Sequence, residues 1–191
     1  NLVLVKKALP LLKASKGRAF VLATSLKSME EIGALLKDEL KKNEINYPVI
    51  TQGEGPKSDL LQQFKKHGNA ILIGSLSFWE GIDVKGTDLR CVVIDKLPFT
   101  NPSDPLHVAQ MRLAAAKGEN GFSSVSIPDA AIALKQGFGR LIRQESDRGL
   151  FVLGDNRVLT KSYGGKFLKS LPDMPWLGSQ QEAITYMESL D

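Results

Sequence analysis

The sequence predicts an α/β fold in which a mostly parallel β-sheet is covered by helices on both faces. Short apolar runs recur along the chain, as is typical of strands that are buried on both sides. The first two of these runs are each followed by a loop and an amphipathic segment, so that strand and helix alternate. With 191 residues and 42% hydrophobic composition, the chain is large enough to bury one continuous core.

Two strand-then-helix units open this alternation. Residues 18–23 form an apolar run that ends at Thr24 and Ser25, and the apolar residues that follow have helical spacing: Leu26, Met29, Ile32, Leu35, Leu36 and Leu40. A second short run lies at 47–50. The glycines and proline of 53–56 break the chain after it, and a helix is predicted next from Leu60, Leu61 and Phe64.

Three later runs complete the predicted sheet, at residues 70–73, 91–94 and 150–153. The interval from Lys96 to Ile127 does not alternate, because prolines crowd its start and glycines interrupt its later part. We interpret it as a helical insertion at about 96–127, with a helix over about 104–117. The tail after Pro172 carries a polar helix candidate over about 180–189, which is expected to cover an edge of the sheet.

Composition narrows the class of protein. No apolar run approaches the roughly 20 residues that cross a bilayer, so no membrane partner is expected. The formal charge of +4 is compatible with a polyanionic partner without demonstrating one. Cys91 lies in an apolar run and is predicted to be a core residue rather than a nucleophile. Residues 1–191 are expected to form a single domain, and the start at Asn1 suggests a fragment of a longer protein.

Residues 136–143 are the most informative segment, because Gln136, Arg140 and Arg143 recur in it at helical spacing. On an α-helix these side chains fall within about 60° of one another, opposite an apolar face. Gly139 adjoins the polar row, and a glycine inside a helix costs about 1 kcal/mol relative to alanine, which favours close approach of a ligand or of neighbouring backbone. The pattern predicts a phosphate-binding helix face; the alternative is a solvated basic face.

Ligands of parallel α/β sheets favour the loops beyond the carboxyl ends of the strands, and polar residues occupy these loops here. Thr24 and Ser25 follow the first strand, where they either bind a ligand or cap the next helix. Gln52 follows the second strand, where the alternative is a polar loop without a ligand.

The loop at 74–83 joins glycines, hydroxyls, two aromatic residues and two carboxylates. Ser75 is suited to donate to a nucleic-acid phosphate, and Asp83 to accept from a ribose hydroxyl. Phe78 and Trp79 either stack on bases or pack in the core. Glu80 and Asp83 have no histidine or metal-binding cluster near them in sequence, which argues against a general acid–base pair.

Two absences from the sequence limit the chemistry. His67 and His107 stand apart from any catalytic or metal-binding constellation, so neither a nucleophilic hydrolase nor a metal site is predicted. The chain also contains no Gly-x-x-x-x-Gly-Lys-Ser/Thr phosphate loop. We therefore do not expect it to hold a nucleoside triphosphate by itself.

The segments 78–83 and 136–143 together resemble motifs five and six of superfamily-two helicases. The sequence at 78–83 is Phe-Trp-Glu-Gly-Ile-Asp, and it is followed by Leu-Pro-Phe at 97–99 and Pro-Ser-Asp-Pro at 102–105. This combination is similar to the DinG/YoaA branch of the XPD-like DNA helicases. This resemblance spans about residues 10–175. It implies a RecA-like three-layer sandwich, the second motor domain of an ATP-dependent 5′ to 3′ DNA helicase of DNA repair or damage tolerance, in the bacterial cytoplasm.

The resemblance also implies partners and roles. ATP and Mg²⁺ would be shared with the N-terminal helicase domain of the same protein, which would carry the phosphate loop and any iron–sulfur cluster. Arg143 would be the arginine finger, Arg140 would assist it, and Gln136 would position phosphate or water. Glu80 would couple the nucleotide side of the cleft to the nucleic-acid side. The residues on the nucleotide side would be Glu80, Gly81, Asp83 and Gly139.

For single-stranded DNA, the resemblance implies backbone contacts from four residues: Thr24, Ser25, Gln52 and Ser75. A competing hypothesis is a non-catalytic nucleic-acid-binding module from a degenerate or nuclease-coupled helicase relative. A third, a stand-alone α/β metabolic enzyme, requires a self-contained cofactor site that the sequence does not offer.

Overall fold

The computed structural model describes residues 1–79, 81–82, 84 and 86–190, and it describes Ser77 and Trp79 through their backbone alone. The chain divides into two compact units. The sheet unit consists of Asn1–Lys96, Gly137–Gly154 and Met174–Asp191, and the helical unit consists of Leu97–Gln136 and Asp155–Asp173.

A five-stranded sheet organises the sheet unit, in the order β2-β3-β1-β4-β5. Its strands are β1 (Ala19–Ala23), β2 (Val49–Thr51), β3 (Ile71–Ser75), β4 (Cys91–Ile94) and β5 (Leu150–Leu153). All four neighbouring pairs are parallel. The central strands β1, β3 and β4 are buried throughout, which explains why they appear in the sequence as continuous apolar runs. The predicted α/β class and parallel sheet are confirmed.

The α-helices in the described part of the chain are α1 (Leu2–Ala14), α2 (Leu26–Lys42), α3 (Lys57–His67), α4 (Pro105–Ala116), α5 (Ile127–Phe138), α6 (Arg157–Thr160), α7 (Gly164–Ser170) and α8 (Gln180–Glu188). In the sheet unit, α1, α2 and α8 share one core with alternate strand residues such as Val21 and Ile73. The opposite face carries α3, where Phe64 contacts Phe20 of β1 with ring centroids 4.9 Å apart. The sheet therefore has helices on both faces, as the sequence predicts.

The two ends of the chain pack together in the sheet unit. Helix α1 was not predicted, because it carries apolar residues almost all round and contains Pro10. Its residues Val5 and Leu12 are nearly fully buried. Helix α8 contributes Ala183 and Met187 to the same core. The tail helix thus lies against α1.

The helical unit is built from two stretches of sequence. The first contains α4, close to the predicted bounds, which begins where the Asp104 carboxylate accepts from the His107 backbone N–H at 2.9 Å. Four aromatic residues from both stretches form one cluster, with ring centroids 5.3–6.2 Å apart: Phe99, Phe122, Tyr163 and Phe167. The sequence did not predict that residues 155–173 pack with 97–136.

Across the described part of the chain, none of the helices combines the length and the apolar character that a membrane crossing requires.

Two glycines have a left-handed backbone but differ in the space around them. Gly17 and Gly68 have φ of 74° and 67°, but a Cβ on Gly17 would lie 2.0 Å from the Asn69 carbonyl oxygen, whereas one on Gly68 meets nothing within 4 Å. Gly68→Ala is expected to cost about 1 kcal/mol of unfolding free energy through backbone strain alone. Gly17→Ala is expected to cost about 2 kcal/mol more, because backbone must move. Urea denaturation of both variants measures the difference, and equal losses would contradict it.

Candidate functional site

The carboxyl ends of four neighbouring strands gather the polar residues of the sheet unit at one edge. The register pairs Ala23 of β1 with Ser75 of β3, and Leu22 of β1 with Ile94 of β4. Because all the strands run in the same direction, the residues that follow them lie at the same edge of the sheet. The predicted residues at this edge are Thr24, Ser25, Gln52 and Ser75.

Asp95, directly after β4, is the buried anion of this edge, with 2% of its surface exposed. Its carboxylate accepts from the Thr24 backbone N–H at 2.9 Å and from the Thr24 hydroxyl at 3.2 Å. It also accepts from the Ser28 hydroxyl of α2 at 2.8 Å. The ammonium of Lys96 lies 4.0 Å away. Three hydrogen bonds therefore hold the β1–α2 connection on Asp95, which sequence reasoning missed. The available signal was a lone carboxylate directly after a fully apolar strand.

Ser25 caps α2. Its side-chain oxygen accepts from the Ser28 backbone N–H at 3.1 Å, and its carbonyl accepts from the Met29 N–H at 2.9 Å. This is the capping arrangement that the sequence left open as an alternative to ligand binding. Ser25 is also exposed, whereas Thr24 is half-buried. The cap leaves the hydroxyl of Ser25 at the solvent side of the edge.

Gln52 and Ser75 bind each other across β2 and β3. The Gln52 side-chain carbonyl oxygen accepts from the Ser75 backbone N–H at 2.7 Å and from the Ser75 hydroxyl at 2.9 Å. Ser75 is 8% exposed, so its hydroxyl faces the protein. Of the two predicted contact residues, Gln52 lies nearer to solvent.

Phe78 packs in the core of the sheet unit, with 8% of its surface exposed. Gly74 makes room for it, because a Cβ on Gly74 would lie 2.6 Å from the Phe78 ring. The ammonium of Lys57 lies 5.3 Å from the centre of the same ring. Phe78 therefore packs in the core, and it does not form an exposed surface on which bases could stack.

The rest of this loop is described in part. Gly81 is exposed and has φ of 71°, a conformation that favours glycine. Ile82 is buried, with 1% of its surface exposed. The predicted site residues Glu80 and Asp83 lie outside the described residues, as does the side chain of Trp79.

The predicted helical register of 136–143 is wrong, because α5 ends at Phe138. The Arg140 N–H bonds the Gly137 carbonyl at 3.2 Å and the Leu141 N–H bonds the Phe138 carbonyl at 2.9 Å, so a turn with three-residue spacing follows the helix. This turn buries both Phe138 and Leu141. Gln136, Arg140 and Arg143 therefore do not share one helix face.

Close approach in this segment occurs at Gly137, whereas Gly139 is exposed. A Cβ on Gly137 would lie 2.8 Å from the Ile94 side chain and 3.4 Å from that of Leu22. The end of α5 thus lies directly on the sheet. Gln136 belongs to the helical unit and is exposed.

Arg140 and Arg143 converge on the loop after β3. A guanidinium N–H of Arg140 donates to the Ile82 carbonyl at 3.2 Å, and one of Arg143 donates to the same oxygen. The Arg143 backbone N–H also bonds the Asp147 carboxylate at 2.9 Å. Segments 78–83 and 136–143 are therefore in direct contact, and two guanidinium groups meet at one carbonyl oxygen.

The helical unit contains a second buried carboxylate, Asp155. It accepts from the Leu97 backbone N–H at 2.9 Å and from the Arg157 guanidinium at 2.6–3.0 Å. Burial alone would raise the pKa of Asp155, but the hydrogen bonds from Arg157 and Leu97 outweigh it and lower that pKa. The Arg157 guanidinium also lies 5.4 Å from the centre of the Phe99 ring. These contacts fasten the two stretches of the helical unit together, which sequence spacing does not signal.

Cys91 and His107 are structural. Cys91 is fully buried, and burial raises the pKa of its thiol to about 12, which confirms it as a core residue. His107 is buried in the helical unit with its Nε2 atom 3.2 Å from the Ser126 hydroxyl. Within the described ranges, no three His, Cys, Asp or Glu side chains come together as a metal site would require.

Residues 8–174 match the family described as the helicase C-terminal domain. The chain is 45% identical to the ATP-dependent DNA helicase YoaA of Escherichia coli, a match that covers 93% of this chain and 27% of that protein. It is 39% identical to the ATP-dependent helicase DinG of Mycobacterium tuberculosis, a match that covers 85% of this chain and 24% of that protein.

A solved XPD helicase has the same fold. The two structures align with a TM-score of 0.62 and 22% identity, over 89% of this chain and 31% of the other. The chain spans about a quarter of the length of the YoaA and DinG helicases that it matches. Three observations lead to one assignment: the parallel sheet, the contact between segments 78–83 and 136–143, and the family match over residues 8–174. The chain belongs to the helicase C-terminal domain family, and within that family it is similar to the YoaA and DinG helicases.

Proposed function

We propose that residues 1–191 act as one domain of a longer protein, the second motor domain of an ATP-dependent DNA helicase. The observation that carries this proposal is the convergence of Arg140 and Arg143 on the Ile82 carbonyl. A guanidinium fork recognises phosphate oxygens in the same way as it recognises other oxygen acceptors, but more strongly because phosphate is charged. ATP would lie between this domain and the N-terminal helicase domain of the same protein.

In this proposal the chain contributes positioning and positive charge to phosphoryl transfer. Arg143 is the arginine finger on the γ-phosphate, and Arg140 assists it. Gln136 orients phosphate or water. The transferring phosphoryl group carries charge on its oxygens, so a positioned arginine accelerates the reaction without any covalent step. The nucleotide-side contacts come from the loop after β3 and the turn after α5: Glu80, Gly81, Asp83 and Gly139.

The carboxyl edge of the sheet is the proposed single-stranded DNA track. Thr24, Ser25, Gln52 and Ser75 lie there, at the ends of β1, β2 and β3. These side chains are neutral hydrogen-bonding groups, which suits contact with a sugar–phosphate backbone rather than recognition of base sequence. Asp95 positions the first two of them by holding the β1–α2 connection.

The remaining parts of the proposal follow from the resemblance of segments 78–83 and 136–143 to the DinG/YoaA branch of the XPD-like helicases. The phosphate loop, the Mg²⁺-binding residues and any iron–sulfur cluster belong to the N-terminal helicase domain. Translocation runs 5′ to 3′ in DNA repair or damage tolerance, in the bacterial cytoplasm. The names of the Escherichia coli and Mycobacterium tuberculosis relatives support the dependence on ATP and the helicase activity.

Unwinding assays with the full-length protein test this function. We expect single-stranded DNA to stimulate ATP hydrolysis, and duplexes with a 5′ single-stranded tail to be unwound in preference to those with a 3′ tail. The 191-residue chain alone is expected to hydrolyse no ATP, because it lacks a phosphate loop. DNA binding without stimulated hydrolysis would instead support the non-catalytic binding module.

A further inference from the structure

The side chain of Gln52 is held in one direction at the carboxyl edge of the sheet. It is half-buried between the ends of β2 and β3. The carbonyl oxygen of its amide accepts twice from one residue, from the Ser75 backbone N–H at 2.7 Å and from the Ser75 hydroxyl at 2.9 Å. Ser75 therefore occupies the acceptor end of the amide.

Chemistry fixes which end of the amide faces Ser75. A primary amide has an oxygen that only accepts and a nitrogen that only donates, and shape alone does not distinguish them. A backbone N–H is an obligatory donor, so the group 2.7 Å from the Ser75 nitrogen must be the oxygen. The amide nitrogen, with its two N–H donors, consequently points away from Ser75.

Thr24 offers the opposite case at the same edge. Its backbone N–H and its hydroxyl both donate to the carboxylate of Asp95, at 2.9 Å and 3.2 Å. A hydroxyl has a single proton to donate, so in this arrangement Thr24 presents only lone pairs outward. Gln52 thus presents donors where Thr24 presents acceptors.

We propose that Gln52 donates its amide N–H to a phosphate oxygen of the single-stranded DNA backbone. Ser75, although it lies on the proposed track, then acts by positioning this amide and does not itself touch the strand. The inference rests on the proposed DNA-binding function and deepens it. Phosphodiester oxygens only accept hydrogen bonds, so they match the donor end of the Gln52 amide and not the lone pairs of Thr24. The contact is independent of base sequence.

Substitutions that change donor to acceptor test the direction of the amide. Single-stranded DNA affinity of the full-length protein is measured by fluorescence anisotropy with an oligothymidylate. Gln52→Ala is expected to weaken binding by about tenfold, as for one hydrogen bond to a charged acceptor. Gln52→Glu keeps the shape but replaces donors by a carboxylate, and it is expected to weaken binding further. Gln63→Glu, on the exposed surface of α3, makes the same charge change and should alter affinity less than twofold.

The positioning role of Ser75 has its own signature. Ser75→Ala is expected to weaken binding by about threefold in the wild-type background and to have no further effect on Gln52→Ala, because the residue acts only through the amide. The slope of log affinity against log salt concentration should stay unchanged in Ser75→Ala and in Gln52→Ala, since neither substitution removes a cation from the protein. A general loss of structure would lower affinity in both backgrounds alike.

The outcomes separate this inference from the function on which it rests. If the wild-type protein fails to bind the oligothymidylate, the proposed DNA track is wrong. If the wild-type protein binds it and Gln52→Glu binds equally tightly, the track stands and the donor role of Gln52 is wrong. If Ser75→Ala weakens Gln52→Ala as much as it weakens wild type, Ser75 acts independently of the amide and its positioning role is overturned.

Discussion

Replacement of Arg143 by alanine is expected to lower DNA-stimulated ATP hydrolysis of the full-length protein by about 10³-fold or more, with DNA affinity nearly unchanged. A positioned arginine stabilises the charge that spreads over the γ-phosphate oxygens, and such residues contribute roughly 10³ to 10⁵ in rate. DNA affinity should persist because Arg143 lies on the turn after α5, whereas the proposed DNA contacts follow β1, β2 and β3. Steady-state hydrolysis at saturating single-stranded DNA measures the effect.

Arg148→Ala is the matched control. Arg148 is exposed and donates to the carbonyls of Glu145 and Asp147 in its own loop, so its loss should leave turnover within about twofold. Arg143→Lys separates charge from geometry, since lysine keeps the charge but loses the planar fork; we expect little rescue. Near-normal turnover of Arg143→Ala would refute its assignment as the finger.

The strands could be predicted from sequence because parallel strands buried on both faces appear as apolar runs. Residues 91–94 coincide with β4, which is buried throughout, and residues 150–153 coincide with the edge strand β5, in which Leu150 is buried and the other three residues are half-buried. The end of α5 could not be predicted in this way, because helical periodicity continues in the sequence through Arg143. Burial of Leu141 instead turns the backbone after Phe138. Tertiary packing decided this boundary and local propensity did not.

The partners of the edge residues were also beyond the reach of sequence. Gln52 and Ser75 are 23 positions apart, and Thr24 and Asp95 are 71 apart. Which of them meet depends on the strand order β2-β3-β1-β4 and on the register. Sequence therefore identified four polar residues at the edge, but it could not assign donors and acceptors among them or single out Asp95.

Asp95→Ala is expected to lower the free energy of unfolding of the 191-residue chain by about 4 kcal/mol. The substitution leaves the Thr24 N–H and the Thr24 hydroxyl without their acceptor in a site where Asp95 is 2% exposed, whereas the Ser28 hydroxyl keeps the Asn1 side-chain oxygen at 3.2 Å. Each buried donor left unpaired costs about 1–3 kcal/mol, partly relieved by rotation of the hydroxyls. Urea denaturation measures the loss, which is large against the total stability of about 5–15 kcal/mol usual for domains.

Ser28→Ala provides the comparison, because it removes one of these hydrogen bonds and leaves Asp95 with two others; a loss of about 1 kcal/mol is expected. Asp95→Asn should fall between the two, since an amide offers a single acceptor oxygen. If Asp95→Ala cost no more than Ser28→Ala, the carboxylate would not be the anchor of the β1–α2 connection. Because this connection carries Thr24 and Ser25, the same anchor sets where the proposed DNA track begins, so any Asp95 variant that remains folded should also bind single-stranded DNA less tightly.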